Sequence, residues 1–362
     1  MILGMFFDRR YFKRLCKGEL QWKIVHFCEA CARENVDILV FSPESIDWYD
    51  KKINGLTYNA SSKVWNMNIY PFPDLIYDRA TFTEKDKSIG KFVRERFIKD
   101  YYIPFINTKS YFNKWETHNI LSKEPMFHKY LPKTQKYVHP FQISEFLSIY
   151  KSIYIKDSSG KLGKSIFKIQ KADNELYCVK YQTNKENHSD VLPLEKVHTM
   201  LTSDKMPRRK IIIQQGIELA RLNDCPFDIR CLVQKNRSMN WEVVDKSIRL
   251  ALPESIVTNV SNGGQIKRFS EVVPLIFLNF IDISNEIDSL IIAASNYLEK
   301  TYGALGELGI DIALDSSGRI WLIEINGKPS KLCIYYSGNQ ELINKTCTNI
   351  VSYSKELFNI QK

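Results

Sequence analysis

The sequence predicts an α/β unit followed by α+β units, on three observations. At 362 residues the chain exceeds the size at which one hydrophobic core stops growing, so two or three packed subdomains are expected. Residues 1 to about 110 alternate short apolar strands with helical patterns, as a small α/β layer does. From Lys109 onward the pattern changes to successive strands closed by a long amphipathic helix.

In the first unit, Ile2 to Phe7 reads as a strand and Tyr11 to Glu34 as helix. Asp37 to Phe41 is a second buried-type strand, and Asp74 to Tyr77 a third after the Pro71-Phe72-Pro73 break. A helix from about Lys85 to Lys99 and the strand-like Tyr101 to Ile106 close the unit. Next, Lys114 to Leu121 reads as helix and Ser152 to Lys156 as a strand entering a loop of small and basic residues. Further strands are Ile166 to Ile169, Tyr177 to Tyr181, Lys210 to Gln214, Arg230 to Gln234 and Glu242 to Leu250. Thr183 to Asp190 reads as a polar surface loop, and Asn285 to Tyr302 as the long helix. The expected divisions are 1–110, 111–205 and 206–362.

Hydrophobic residues at 44% and charged residues at 25% exclude a disordered or fibrous chain. A net charge of +10 suits an anionic partner such as nucleic acid, a nucleotide, an acidic polymer or a membrane surface, without choosing among them. Eight irregularly spaced cysteines suit a reducing compartment. The apolar start precedes its charges, unlike a secretory signal, and Val272 to Ile281 is too short to span a bilayer. A soluble, cytoplasmic protein is expected. Cys28-Glu29-Ala30-Cys31 lacks the second ligand pair that structural zinc needs, and reads as buried helix. Lys91 to Phe112 is basic and aromatic but carries no RNA-module signature.

The most informative segment is Gly309 to Asn326, where two β-rich runs flank Asp315-Ser316-Ser317-Gly318. This is turn chemistry and predicts a hairpin. A symmetric turn about Ser316 and Ser317 pairs Asp311 with Leu322, and alternation then puts Glu324 and Asn326 on the face of Asp311. Ile310, Ile312, Leu314, Trp321, Ile323 and Ile325 take the opposite, core face. An odd loop length breaks this pairing. Two carboxylates and an amide on one face suit Mg²⁺, a hard cation that shares its shell with substrate phosphates.

A second segment, Lys156 to Ser165, delivers a strand lysine into a loop of small residues whose backbone N–H groups, with Lys161 and Lys164, could cradle phosphates. It is not a P-loop, because Ser158 replaces the first Gly and the following run reads as strand. A third, Lys210 to Ile217, leaves the core ahead of Asp228-Ile229-Arg230 and Lys246-Ser247-Ile248-Arg249. Arg230 and Arg249 could clamp a phosphate or carboxylate by bidentate bonds. Thr258 to Gly264 is a polar loop whose Gly pair permits close backbone approach.

In this order, Lys156 with its loop, the strand from Gln214 to Ile217, Arg230, Arg249, Asn259 with Gly263-Gly264, Asp311 and Glu324-Ile325-Asn326 resemble the ATP-grasp superfamily. Lys114 in Asn113-Lys114-Trp115 falls where the first nucleotide lysine would. More narrowly, the chain is similar to the YheC/YheD family, which is named for association with the endospore coat. The segments that carry this are Gln214 to Ala220, Pro226 to Arg230, Thr258-Asn259 and Glu324 to Pro329, with Pro73 to Arg79 matching an N-terminal motif. The chain departs from the superfamily pattern at Asp157 and Ser165, where Pro and a third Gly are usual.

The resemblance implies an ATP-grasp fold with an N-terminal, pre-ATP-grasp-like α/β domain. It also implies a Mg-ATP-dependent ligase that joins a carboxylate to an amine or thiol through an acyl phosphate, with a link to the endospore coat or envelope. On it, Asp311, Glu324 and Asn326 would hold Mg²⁺, and Lys114 and Lys156 the α- and β-phosphates. Ser158, Ser159, Gly160 and Gly163 would cover the phosphates. Gln214, Gln215 and Ile217 would line the adenine site, with backbone groups of Gln215 and Ile217 toward the base. Arg230 and Arg249 would stabilise the transferring phosphoryl group, and Asn259 would orient phosphate or a metal ligand. The implied partners are ATP, an unidentified acid and amine, and spore-coat proteins. The alternative is a non-catalytic nucleotide-binding or coat-assembly protein with the same fold. A basic nucleic-acid binder is a third class, marked by salt-dependent affinity for oligonucleotides.

Overall fold

Among the described residues, three six-stranded sheets succeed one another along the chain. The computed structural model describes residues 1–160, 166–173, 175–183, 186–202, 210–253, 255–256, 258 and 264–361. Gly163 and Asn259, two expected nucleotide contacts, lie outside the described residues, as do Lys161, Lys164, Ser165 and Gly263.

The first sheet contains β1 (Ile2–Phe6), β2 (Asp37–Phe41), β3 (Ile46–Asp47), β4 (Lys52–Asn59), β5 (Val64–Pro71) and β6 (Leu75–Asp78). Its path is β3-β4-β2-β1-β6, with β5 on β4, and β1 runs parallel to both β2 and β6. The expected helix over Tyr11 to Glu34 is two helices, α1 (Arg9–Cys16) and α2 (Val25–Arg33). Gly18 at φ +82° turns the chain out of α1, a left-handed position that glycine takes without steric cost. The β4–β5 hairpin was not read from the sequence, although Trp65, Met67 and Ile69 alternate with Asn66 and Asn68 in β5; most of that strand is exposed. The helix expected from Lys85 is α3 (Lys87–Tyr101), and Tyr102 at φ 55° ends it. The strand expected over Tyr101 to Ile106 reduces to a single parallel bridge, Phe105 to Ile76.

After α4 (Lys114–Leu121), the second sheet is built from β7 (Thr134–Lys136), β8 (Ile153–Asp157), β9 (Ile166–Lys171), β10 (Leu176–Thr183), β11 (Glu186–Pro193) and β12 (Ile211–Gln215). The order is β11-β10-β9-β8-β12-β7, covered by α5 (Phe141–Ile149) and α6 (Leu194–Leu201). Much of the expected loop over Thr183 to Asp190 is the edge strand β11. It is polar because an edge facing water needs no apolar alternation. Residues 211–215, which the sequence division places after 205, belong to this second sheet.

The third sheet contains β13 (Arg221–Leu222), β14 (Cys225–Lys235), β15 (Trp241–Leu250), β16 (Gln265–Arg268), β17 (Glu307–Leu314) and β18 (Ile320–Asn326). Its order is β16-β15-β14-β17-β18, with β13 on β14. The short α7 (Phe269–Val272) leads to α8 (Phe280–Tyr302), whose buried Ile283, Ile287, Leu290, Ile291, Ala294 and Leu298 form one helical face. They pack beneath Ile310, Ile312, Leu314, Ile320, Leu322 and Ile325. The chain ends with α9 (Leu332–Tyr336) and α10 (Gln340–Gln361). α10 returns to the first unit, where Cys347, Ile350, Val351 and Leu357 pack with Phe27, Cys28 and Cys31 of α2. Among the described residues no helix is long and apolar enough to cross a membrane.

Candidate functional site

The hairpin β17–β18 brings its carboxylates together by a route the sequence did not suggest. The connection from Asp315 to Arg319 has an odd length, so Ile312, and not Asp311, pairs with Leu322. Both side chains enter the core. Trp321 and Ile323, expected in that core, instead join Ala313, Ile217 and Leu219 on the other face. A bulge next to Asp311 then absorbs Ile323 and sets Glu324 directly opposite Asp311. Asn326, two residues on, pairs with Gly309.

The neighbouring strands extend this row of charge. Arg230 is the cross-strand partner of Asp311, and Asp228 that of Arg249. Arg230 Nε and Nη2 both donate to the Asp311 carboxylate, the latter at 3.1 Å. Arg249 Nη2 lies 3.0 Å from the same carboxylate and Nε donates to Asp228 at 2.7 Å. Thr258 Oγ1 also donates to Asp228. Burial opposes ionisation of Asp311, but the Arg230 and Arg249 guanidinium groups outweigh it and hold its pKa below the usual range. For Arg249, burial opposes the charge, and Asp311 with Asp228 restores and raises it. Asp228 was present in the sequence motif but not foreseen as the group that orients Arg249.

The second sheet supplies the facing wall. Lys156 Nζ donates to Gln214 Oε1 at 2.8 Å, and Gln214 Nε2 to Thr134 Oγ1 at 3.0 Å. Burial, then the nearby charge of Lys114, lowers the Lys156 pKa to about 8, with Glu324 acting in the opposite direction. Lys114 bridges the walls: its Nζ donates to Gly160 O at 2.6 Å and lies 3.3 Å from Glu324 Oε1. Asn113 caps α4 through its side-chain oxygen, and its Nδ2 lies 3.2 Å from the hydroxyls of Ser158 and Ser159. Asp157 Oδ1 accepts from Ser159 N at 2.8 Å, so part of its charge is spent inside the loop.

These residues enclose one cleft. Lys114, Lys156, Gly160, Gln214, Gln215, Ile217, Arg249, Asp311 and Glu324 line it, as do Tyr154, Leu219, Ala313 and Ile323. The apolar group makes one end suited to a flat base, and the cations make the other suited to phosphate. Arg230 stands behind Asp311, Ser158 and Ser159 are held back by Asn113, and Asn326 lies beyond the lining. Gln215 N is already committed to Lys133 O at 2.8 Å.

The donor set fits a divalent hard cation. Asp311 and Glu324 are cross-strand neighbours with oxygen donors only, and a carboxylate offers about four lone-pair sites, so Asp311 keeps capacity beside its arginines. Among the described residues no group of three His, Cys, Asp or Glu forms a metal cage. Mg²⁺ is a hard cation commonly bound by one or two carboxylates, with phosphate oxygens and water completing its shell.

Residues 102–357 match the model of the family described as YheC/D like ATP-grasp. The chain belongs to that family. It is similar to the endospore coat-associated protein YheD of Bacillus subtilis (strain 168), at 29% identity over 81% of the chain and 64% of YheD. The chain thus spans less than two thirds of that relative. Among solved structures it is similar to the D-cycloserine synthetase DcsG, at a TM-score of 0.59 and 11% identity over 99% of this chain and 100% of that one. A Chryseobacterium gregarium RiPP-associated ATP-grasp ligase in complex with ADP and a leader and core peptide matches at a TM-score of 0.53. It is 10% identical, over 100% and 98% of the two chains. Both share the ATP-grasp fold with this chain.

Proposed function

We propose that this ATP-grasp protein is a Mg-ATP-dependent ligase that activates a carboxylate as an acyl phosphate. The supporting observation is the row Arg249–Asp228 and Arg230–Asp311–Glu324 on one sheet face, opposed by Lys156 and Lys114. It brings cationic donors and the carboxylates of Asp228, Asp311 and Glu324 together in a cleft that Ile217, Leu219, Ala313 and Ile323 also line.

Phosphoryl transfer asks a protein for positioning and charge neutralisation more than for covalent chemistry. Lys114 and Lys156 would neutralise the α- and β-phosphates, and Gln214 fixes Lys156 in place for that. Asp311, Glu324 and Asn326 would hold Mg²⁺, which when bound offsets charge on the phosphate oxygens. Arg249 faces the cleft and would bind the transferring phosphoryl group, held at the right angle by Asp228. Arg230 touches Asp311 and acts through it, as a positioning residue. The acid's carboxylate oxygen would attack the γ-phosphorus as the bond to ADP breaks. The nucleophile then would attack the acyl carbon, lose its proton and expel phosphate. Tyr154, Ile217, Ala313 and Ile323 would hold the base, with Gln215 contributing its position more than its committed N–H. An association with the endospore coat, as YheD carries in its name, is part of the proposal.

Hydroxylamine tests the chemistry, since it intercepts acyl phosphates as hydroxamates. The ligase reading expects ADP release and hydroxamate formation that need Mg²⁺, ATP and one member of a panel of amino and hydroxy acids. It also expects Arg249→Met to abolish both. ADP release that no acid stimulates, with no hydroxamate from any acid, would overturn it. The coat association is read by imaging a fluorescent fusion in sporulating cells, where diffuse signal throughout would count against it.

A further inference from the structure

A second cavity, of about 460 Å³, lies where the first unit meets the segment that follows β18. Its volume is in the range of small-molecule sites. Phe7, Phe27, Tyr77 and Tyr335 give it an aromatic floor, and six cations reach it: Arg10, Arg14, Lys23, Arg79, Lys328 and Lys331.

The fold uses some of that charge for itself. Arg79 and Lys331 share the buried Glu307, Lys328 and Arg94 share Asp78, and Arg14 meets Glu19. Asp8, the one carboxylate on the lining, spends its oxygens on Tyr11 N and Thr81 N. The seven cations named therefore face four carboxylates. Arg10 and Lys23 have no carboxylate partner among the described residues; Lys23 instead lies over the Trp22 ring. A concave, aromatic-floored site with uncompensated positive charge favours an anion.

Its position ties it to the cleft. Lys328 is four residues beyond Glu324, and so many extended residues span at most about 14 Å. Gly309 and Gly327 allow the close packing of this segment: a Cβ on Gly309 would fall 2.7 Å from Pro329 Cβ, and one on Gly327 2.9 Å from Ser110 backbone. The segment is thus fixed between the two sites.

We propose that this cavity seats the acid substrate of the ligation, and that this acid carries a second anionic group, carboxylate or phosphate, held by Arg10 and Lys23. The assignment of the ligand as substrate rests on the ligase reading above; the anion preference of the cavity does not. Lys328 and Lys331 line the cavity beside them, and the aromatic floor takes the body of the molecule.

Isothermal titration of the full chain with citrate and, separately, with inorganic phosphate tests the inference without nucleotide or added metal. At least one anion should bind, and which of them binds tells carboxylate from phosphate. The double variant Arg10→Ala/Lys23→Ala should bind that anion at least tenfold more weakly, with unchanged thermal unfolding and unchanged affinity for Mg-AMP-PNP. Lys156→Met should retain the anion while losing the nucleotide. If neither anion binds at millimolar concentration, or the double variant binds as well as the wild type, the cavity is not an anion site. Anion binding that depends on Arg10 and Lys23 in a protein that ignores Mg-AMP-PNP would uphold the cavity and remove the ligase reading.

Discussion

At Lys156, burial and a neighbouring cation hold the free protein's ammonium at a pKa of about 8. A bound phosphate favours the charged form, so nucleotide binding takes up a proton once the pH exceeds that value. Mg-ATP affinity is therefore expected to fall as pH rises through about 8. Lys156→Arg, whose charge does not titrate there, should bind with no such fall; calorimetry across pH 7 to 9.5 checks this. Several site residues were legible as residue types at given positions: Lys114, Lys156, Arg249, Asp311 and Glu324 all line the cleft. Asp228, Thr134 and Asn113 were not, because their role is to orient another side chain. That depends on cross-strand register, which no local pattern encodes.

Elements were readable where burial imposes a period, and obscure where it does not. Asp37–Phe41 and Lys114–Leu121 match expectation in both bounds; β11, exposed and largely polar, went unread, as did β5, whose apolar residues are mostly exposed. The β17–β18 hairpin shows the limit of counting. The turn's odd length breaks the symmetric pairing, and a bulge restores the carboxylate pair two residues later. The N-terminus of α4 is an element with a second duty, since Asn113 caps it and also holds the loop at Ser158 and Ser159. Asn113→Ala should cost about 1 kcal/mol of stability for the lost cap. It should weaken Mg-AMP-PNP binding as well, because Lys114 N donates to Ser158 O from the same turn. Denaturant unfolding and nucleotide titration on one variant check both parts.

Across the whole molecule, the first unit is joined to the third sheet by buried polar contacts as well as by α10. Asn107 donates to the carbonyls of Glu307 and Gly327 at 2.8 Å each and accepts from Gly306 N at 2.7 Å. Glu307, 1% exposed, takes Tyr77 OH at 2.6 Å, Arg79 at 2.9 Å and Lys331 at 2.9 Å. Burial works against its charge, but Lys331 and Arg79 win and lower its pKa below 4.5. Its stabilisation is therefore present above that unfolded value and is lost as pH falls through the lower, folded one. Glu307→Gln leaves two buried cations uncompensated and should destabilise the protein by about 3–5 kcal/mol at pH 7. The gap to wild type should narrow as the pH falls below about 4.5, the ordinary glutamate value. These long-range ties were invisible in sequence, since Asn107 and Glu307 are 200 residues apart.

The central claim, a Mg-nucleotide site built on Asp311 and Glu324, is tested most directly by thermal unfolding with Mg-ATP, with ATP and a chelator, and with Mg-ATP on Glu324→Ala. A ligand held only by the native state at 100 times its Kd adds about 2.7 kcal/mol, a visible rise in Tm. The account predicts a rise with Mg-ATP that is smaller with chelator and absent in Glu324→Ala. No rise at millimolar Mg-ATP, or an equal rise in Glu324→Ala, would contradict it.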